Sequence, residues 1–125
     1  MSTDSRTITD EKGNEYVLYQ NSILDNISKI DDKTAFEAIE NHVHLLDHVK
    51  PSEFDSLVVI GTNFGKALLA TLKFNFPEKN FFVFVTITSD GSFIIRFHQK
   101  WGNEHPYYYP SKFQSSKEKV LEFEA

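Results

Sequence analysis

One segment of the sequence restricts the fold more than any other. Within residues 81–101, two apolar runs flank the turn sequence Ser-Asp-Gly-Ser, a pattern typical of a β-hairpin. A two-residue loop would pair Val85 with Arg96 and mix apolar with charged side chains on both faces. A three-residue loop with Gly91 in a left-handed conformation keeps the faces distinct, so we predict that register. The predicted pairs are Ile87 with Phe93, Val85 with Ile95 and Val83 with Phe97.

This register separates the hairpin into two faces. The apolar face, which should be covered by helices, holds Phe81, Val83, Val85, Ile87, Phe93, Ile95 and Phe97. The second face is apolar at one end and charged at the other, and it holds Phe82, Phe84, Thr86, Thr88, Ile94, Arg96, His98 and Lys100. Its apolar end is too large for a solvated surface, so we expect the N-terminal hairpin, the C-terminal tail or a partner to cover it.

Several other segments have the alternation or the β-rich composition of strands. Residues 57–60 form a β-rich run, and residues 68–76 alternate apolar with polar side chains. Thr7–Thr9 and Glu15–Tyr19 flank a turn-rich stretch and predict an N-terminal hairpin, and residues 120–123 fit either a last strand or a tail that packs onto the domain. We therefore predict an α+β fold with an antiparallel meander of about four to six strands.

Two N-terminal helices are predicted to pack on one face of this sheet. The first spans about residues 22–30, and the second begins at a capping box of Thr34 and Glu37 and ends before Pro51. Its predicted core stripe is Phe36, Ile39, Val43 and Leu46. Its opposite face is polar and is interpreted as solvated, with Glu37, Glu40, Asn41, His44, Asp47 and His48.

Composition indicates one cytoplasmic domain spanning residues 1–125, with residues 1–6 expected to be disordered. The 125 residues are 40% hydrophobic and contain twelve phenylalanines, enough for a single core without disulfides. Cysteine is absent, which fits a reducing compartment, and we expect neither a secretory signal nor a membrane span. The net charge of −5 opposes binding to nucleic acid and favours a basic protein as partner.

Catalytic and metal sites are weakly indicated. His44 and His48 have the i, i+4 spacing of zinc ligands, but Leu45 stands where a metallopeptidase has glutamate, so we favour a solvated helix face. His98 between Arg96 and Lys100 resembles a nuclease site without a second acid or base, so an ordinary sheet face is favoured. We predict no catalysis, no metal and no cofactor.

Large amphipathic rings gather in the segment 101–109, between Trp101 and Tyr109. Tyrosine and tryptophan dominate the hot spots of protein interfaces. The alternative is that these rings and the neighbouring prolines pin a long loop onto the sheet, and both readings stay open at this point.

In overall character the chain resembles the immunity proteins that neutralise bacterial polymorphic toxins, including those of contact-dependent inhibition systems. The resemblance implies an acidic inhibitor, without catalysis, that masks the active site of a basic toxin such as a nuclease. The residues expected to bind the partner are Trp101, Glu104, Tyr107, Tyr108 and Tyr109, with Glu37 and Glu40 as a second acidic surface.

Two other functions remain open from the sequence. One is a curved-sheet domain that binds a small ligand in a pocket lined by Phe82, Phe84, Ile94 and His98. The other is a small enzyme that uses His98. An exposed sheet edge would also allow two copies of the chain to pair.

Overall fold

Six strands and two α-helices make up the part of the chain that the structure describes. The structure is a computed structural model, and it describes residues 5–19, 30–88, 90–102, 104–107 and 118–125. The elements are β1 (Ser5–Thr9), β2 (Glu15–Tyr19), α1 (Lys33–Glu40), β3 (His42–Leu46), α2 (Phe54–Asn75), β4 (Phe81–Ile87), β5 (Phe93–Gln99) and β6 (Lys119–Glu124). All strand pairs are antiparallel, so the predicted α+β class is confirmed. The predicted helix at residues 22–30 falls almost wholly on residues 20–29, which lie outside the described residues.

The β4–β5 hairpin forms in the predicted register and occupies the centre of a four-stranded sheet with the order β3-β5-β4-β6. The Thr88 N–H donates to the carbonyl of Ser92 (2.9 Å), which closes a three-residue loop, and Gly91 has a φ of +90°. The strands pair Ile87 with Phe93, Val85 with Ile95 and Val83 with Phe97, as predicted.

Helix α2 covers the apolar face of this hairpin, where the sequence had predicted strands at 57–60 and 68–76. Those strand predictions are wrong. The buried residues of the helix recur every three or four positions and are Leu57, Gly61, Gly65, Leu68 and Leu72. The alternation at 68–76 led to a wrong prediction because Leu68 and Leu72, four residues apart, fit both the two-residue period of a strand and the 3.6-residue period of a helix. Gly61 has no side chain and so allows the helix backbone to approach the sheet.

The second predicted helix is correct only in its first half. Helix α1 ends at Glu40, and the chain then forms the edge strand β3 instead of continuing to Pro51. Within β3, Val43 and Leu45 pack against the core while His42 and His44 are exposed, which is the period of a strand. The predicted capping box is also wrong, because Asp32 is the N-cap and its side chain accepts the N–H of Ala35 (2.9 Å).

The predicted N-terminal hairpin and the predicted last strand are confirmed as β1–β2 and β6. Strands β1 and β2 form a separate two-stranded sheet. One described helix, Pro51–Asn75, which includes α2, is long and apolar enough to cross a membrane by length and composition. One face of α2 packs on the sheet, and core helices of soluble proteins pass the same test, so this finding by itself is weak evidence for a membrane span.

The turn between β1 and β2 is organised by the carboxylate of Asp10. It accepts the N–H groups of Lys12 (2.9 Å) and Asn14 (3.0 Å) and the hydroxyl of Tyr16 (2.7 Å). Desolvation acts to raise the pKa of Asp10, but the hydrogen bonds from Tyr16 and Asn14 outweigh it and lower that pKa to about 2.

Acid should therefore weaken the fold through Asp10. Because the pKa of Asp10 is lower in the folded than in the unfolded chain, its ionised form stabilises the fold above the ordinary pKa of 3.8, and this contribution is lost as the pH falls towards 2. We expect Asp10→Asn to lower the urea midpoint at pH 7, with a difference from wild type that shrinks between pH 4 and pH 2. A difference that stays constant from pH 7 to pH 2 would contradict this role.

Candidate functional site

The loop that follows β5 lies against the N terminus of α1 and is anchored there by Glu104. The Glu104 carboxylate accepts the N–H groups of Thr34 (2.7 Å) and Lys33 (3.3 Å) and the Nζ of Lys33 (3.3 Å). Desolvation raises the pKa of Glu104, but the hydrogen bonds from Thr34 and Lys33 prevail and the net pKa is lowered. Glu104 is thus an ionised group that satisfies the first N–H groups of α1 and fixes the loop in place.

Between this loop and α1 there is an open cleft of about 460 Å³. Its lining residues are Asp31, Asp32, Thr34, Ala35, Glu104, His105, Pro106 and Tyr107. Three of them are carboxylates, and Asp31, Asp32 and His105 are solvent-exposed. Pro106 and Tyr107 add an apolar wall. We call this feature the α1 cleft; it combines negative charge with apolar surface.

Trp101 is held by contacts inside the chain. Its indole Nε1 donates to the carboxylate of Glu37 (2.7 Å), and its ring lies 5.1 Å from that of Tyr16. The Nζ of Lys33 stands 5.7 Å from the indole centroid. The side chain is half-buried, so the reading in which the aromatic residues pin the loop describes Trp101.

Glu37 does not lie on a solvated helix face. Its side chain is 0% exposed, and its carboxylate accepts four hydrogen bonds. Oε1 accepts the Gln99 N–H (2.8 Å) and the Trp101 indole, and Oε2 accepts the Val17 N–H (2.8 Å) and the Gln99 side-chain amide (2.8 Å). Burial raises the pKa of Glu37, against the opposing effect of these donors. The prediction that Glu37 belongs to an acidic surface is corrected accordingly.

Asn41, one helical turn after Glu37, completes the same connection. Its side chain accepts the N–H of Tyr19 (3.0 Å) and donates to the carbonyl of Val17 (2.8 Å), while its own carbonyl accepts the N–H of Phe97 (3.2 Å). Glu37 thus joins β2 to β5 through its side chain, and Asn41 joins them through its side chain and its backbone carbonyl. The i, i+4 spacing of these polar residues places them on one side of a helix, but sequence could not show that this side is the buried one.

The remaining predicted binding residues are separated. Glu40 is half-buried in the last turn of α1, outside the lining of the α1 cleft. Tyr107 lines that cleft, and its ring lies 4.8 Å from the guanidinium of Arg96. Tyr108 and Tyr109 lie outside the described residues. The structure therefore brings Glu104 and Tyr107 together at the cleft. Trp101 is not among the residues that line it.

His98 is a buried, neutral histidine. It is 1% exposed, its Nδ1 lies 2.7 Å from the carbonyl of Gln99, and its Nε2 accepts the N–H of Tyr107 (3.1 Å). Nδ1 therefore carries the proton, and burial lowers the pKa of His98. Both ring nitrogens are bonded to backbone groups, so this geometry offers neither nitrogen for proton transfer to a substrate.

The residues considered for a small-ligand pocket have little exposed surface in the part of the chain that the structure describes. Phe84, Ile94 and His98 are buried within the chain and Phe82 is half-buried. The α1 cleft is lined by other residues, as is a smaller cleft of about 260 Å³ beside the β4–β5 turn. The apolar end of the second sheet face, for which the sequence left the covering segment open, is therefore mostly buried, while Lys100 at its charged end is exposed.

The zinc reading of His44 and His48 rested on a helix that does not form there. His44 lies in β3, and His48 follows that strand with a φ of 61°. His44 Nδ1 contacts the carboxylate of Asp47 (3.1 Å). Among the described residues, no group of three His, Cys, Asp or Glu side chains is placed to hold a metal ion.

A family model described as "Uncharacterized protein PM0498 family" matches residues 7–125, nearly the whole chain. The chain belongs to this family. Neither a curated protein nor a solved structure matches it.

Proposed function

We propose that this protein is an inhibitor of the immunity type, which binds a basic protein toxin through the α1 cleft and performs no catalysis of its own. The observation that carries the proposal is the α1 cleft, where Asp31, Asp32 and Glu104 surround a space next to Pro106 and Tyr107. A lysine or arginine side chain of the partner would place its cationic head near the carboxylates and its aliphatic stem against the apolar wall.

The charge of the chain also supports the binding of a basic partner at the α1 cleft. The chain has a net charge of −5, and Lys33, a basic residue next to the cleft, is already engaged with Glu104. A negative cleft on an acidic protein attracts a basic partner over distances of about a Debye length, which raises the association rate. Masking a cationic active site in this way requires only affinity, and it is how immunity proteins of this character act.

The rigidity of the cleft also favours binding. Glu104 fixes the loop to the helix N terminus, and Trp101 is hydrogen-bonded to the buried Glu37. A wall held by such contacts loses little conformational entropy when a partner docks. The structural and binding roles therefore fall on different residues. Glu37 and Trp101 stabilise the loop beside the cleft, while Asp31 and Asp32 are exposed to the solvent.

Charge-reversal variants test this proposal by how much of a basic partner protein they capture. Asp31→Lys reverses a charge in the cleft, and Asp55→Lys makes the same change at an exposed site on α2, at the opposite end of the β4–β5 hairpin. We expect tagged wild-type protein and Asp55→Lys to retain one basic protein from native lysate at low salt, with weaker capture at moderate salt. Asp31→Lys should retain at least tenfold less, a loss of about 1.4 kcal/mol in binding.

Toxin inhibition needs its own readout. The captured protein, expressed alone, should arrest growth, and co-expression of the wild-type chain should restore it, whereas Asp31→Lys should restore it poorly. Equal capture by Asp31→Lys and Asp55→Lys would remove the α1 cleft from the binding surface. A captured protein that does not impair growth would refute the toxin-inhibitor function.

A further inference from the structure

The solvent side of α2 carries more apolar surface than a solvated helix needs. The exposed fractions are 62% for Val59, 44% for Ile60, 38% for Phe64 and 85% for Phe74. The sheet-facing side of the same helix is already occupied by the core. Alternating intervals of four and three residues connect five positions along this side, which we call the α2 stripe: Ile60, Phe64, Ala67, Thr71 and Phe74. This spacing is the seam that one helix presents to another.

We propose that the α2 stripe is a homodimer interface in which the α2 helices of two copies pack antiparallel, with the two-fold axis at Ala67. The stripe is self-complementary in that arrangement. Ile60 meets the partner's Phe74, Phe64 meets the partner's Thr71, and the two Ala67 residues meet on the axis. The large Phe64 ring thus lies opposite a small side chain, and the small Ala67 permits close approach of the helices where they cross.

The charges along α2 favour the antiparallel arrangement. Its N-terminal end carries Glu53 and Asp55, and its last turn carries Lys73. Antiparallel packing turns the acidic end of each helix towards the basic end of the other, and it opposes the two helix dipoles. Parallel packing would instead align the two helix dipoles, which is unfavourable.

The available area fits a dimer of moderate affinity. Ile60, Phe64 and Phe74 together expose roughly 350 Å² of mostly apolar surface in each copy. With Ala67, Thr71 and the flanking polar side chains of both copies, a contact along 22 helical residues buries about 1,000 to 1,200 Å². That is the lower end of specific protein interfaces, so we expect dissociation in the micromolar range.

Cysteine scanning tests the geometry directly, because the chain has no native cysteine. Under mild oxidation, Ala67→Cys should form a disulfide dimer by itself, since the two copies of this position meet on the axis. Phe74→Cys alone should remain monomeric, but it should cross-link when mixed with Ile60→Cys. Lys66→Cys, exposed on the polar side of α2, is the matched control. Equal cross-linking of Lys66→Cys and Ala67→Cys would overturn the proposal, as would self-cross-linking of Phe74→Cys.

Sedimentation equilibrium of the full chain gives the second readout. Wild type should pass from monomer to dimer between about 1 and 500 µM. Ala67→Lys, which places two positive charges on the axis, should raise the dissociation constant at least tenfold, while Lys66→Ala should change it less than threefold. A wild type that stays monomeric at about 500 µM overturns the proposal, and flotation of that monomer with lipid vesicles would assign the stripe to a membrane surface instead.

Discussion

Replacement of Glu37 by alanine is expected to unfold the domain at room temperature or to leave it barely stable. The change removes the acceptor of four N–H donors contributed by Val17, Gln99 and Trp101. Two of these donors are backbone groups in a dry interior, and each buried donor left without a partner costs about 1 to 3 kcal/mol. We expect a total loss of about 4 kcal/mol or more, which is most of the stability of a domain of this size.

Two variants sharpen this prediction. Glu37→Gln keeps the shape of the side chain but turns an NH₂ group towards two donors, so it should cost about half as much as Glu37→Ala. Glu40→Ala, in the same helix and half-buried, should cost less than about 1 kcal/mol. Urea unfolding followed by circular dichroism measures all three. A Glu37→Ala protein as stable as the Glu40→Ala control would show that the four hydrogen bonds contribute little.

Gly65→Ala is expected to destabilise the protein by about 2 kcal/mol, although alanine favours helix formation over glycine by about 1 kcal/mol. Gly65 lies in α2 where the helix touches β6, and a methyl group at this position would overlap the ring of Phe123. The ring must move or the helix must lift from the sheet, and both lose packing contacts. The thermal midpoint of the purified variant measures the effect.

A double-mutant cycle identifies the cause. In a Phe123→Ala background the overlap is gone, so Gly65→Ala should become stabilising by about 1 kcal/mol, the ordinary difference between the two residues in a helix. This reversal of sign is the critical result. If Gly65→Ala destabilises both backgrounds equally, contact with Phe123 is not the reason that glycine occupies this position.

Structure was predicted most accurately from the sequence where a local rule, such as the pairing register of a hairpin, allowed only one solution. Only one register of the β4–β5 hairpin separates apolar from charged side chains, and Gly91 supplies the positive φ that its loop requires. The N-terminal hairpin and β6 were likewise marked by turn residues or β-branched residues. Glu104 and Tyr107 were selected by residue type, and the structure places both at the α1 cleft.

The sequence predicted least where one pattern satisfies two periods. Leu68 and Leu72 fit a strand and a helix, and the choice between the two depends on the contact of α2 with the sheet, which Gly61 permits. Val43 fitted a helical stripe, yet it packs against the core from β3. In each case a contact with a distant segment, which local spacing does not contain, decided the conformation.

By itself, then, the sequence determined the class of the fold, its central hairpin and the acidic character of the chain, because these depend on alternation, turn geometry and a sum of charges. Only the tertiary structure decided which polar side chains are buried. Glu37 and Asp31 are both acidic residues in or next to α1, but one joins β2 to β5 in the interior and the other lines the α1 cleft. The difference comes from the packing of α1 between segments remote in sequence, which buries one carboxylate among four donors and leaves the other exposed at the surface.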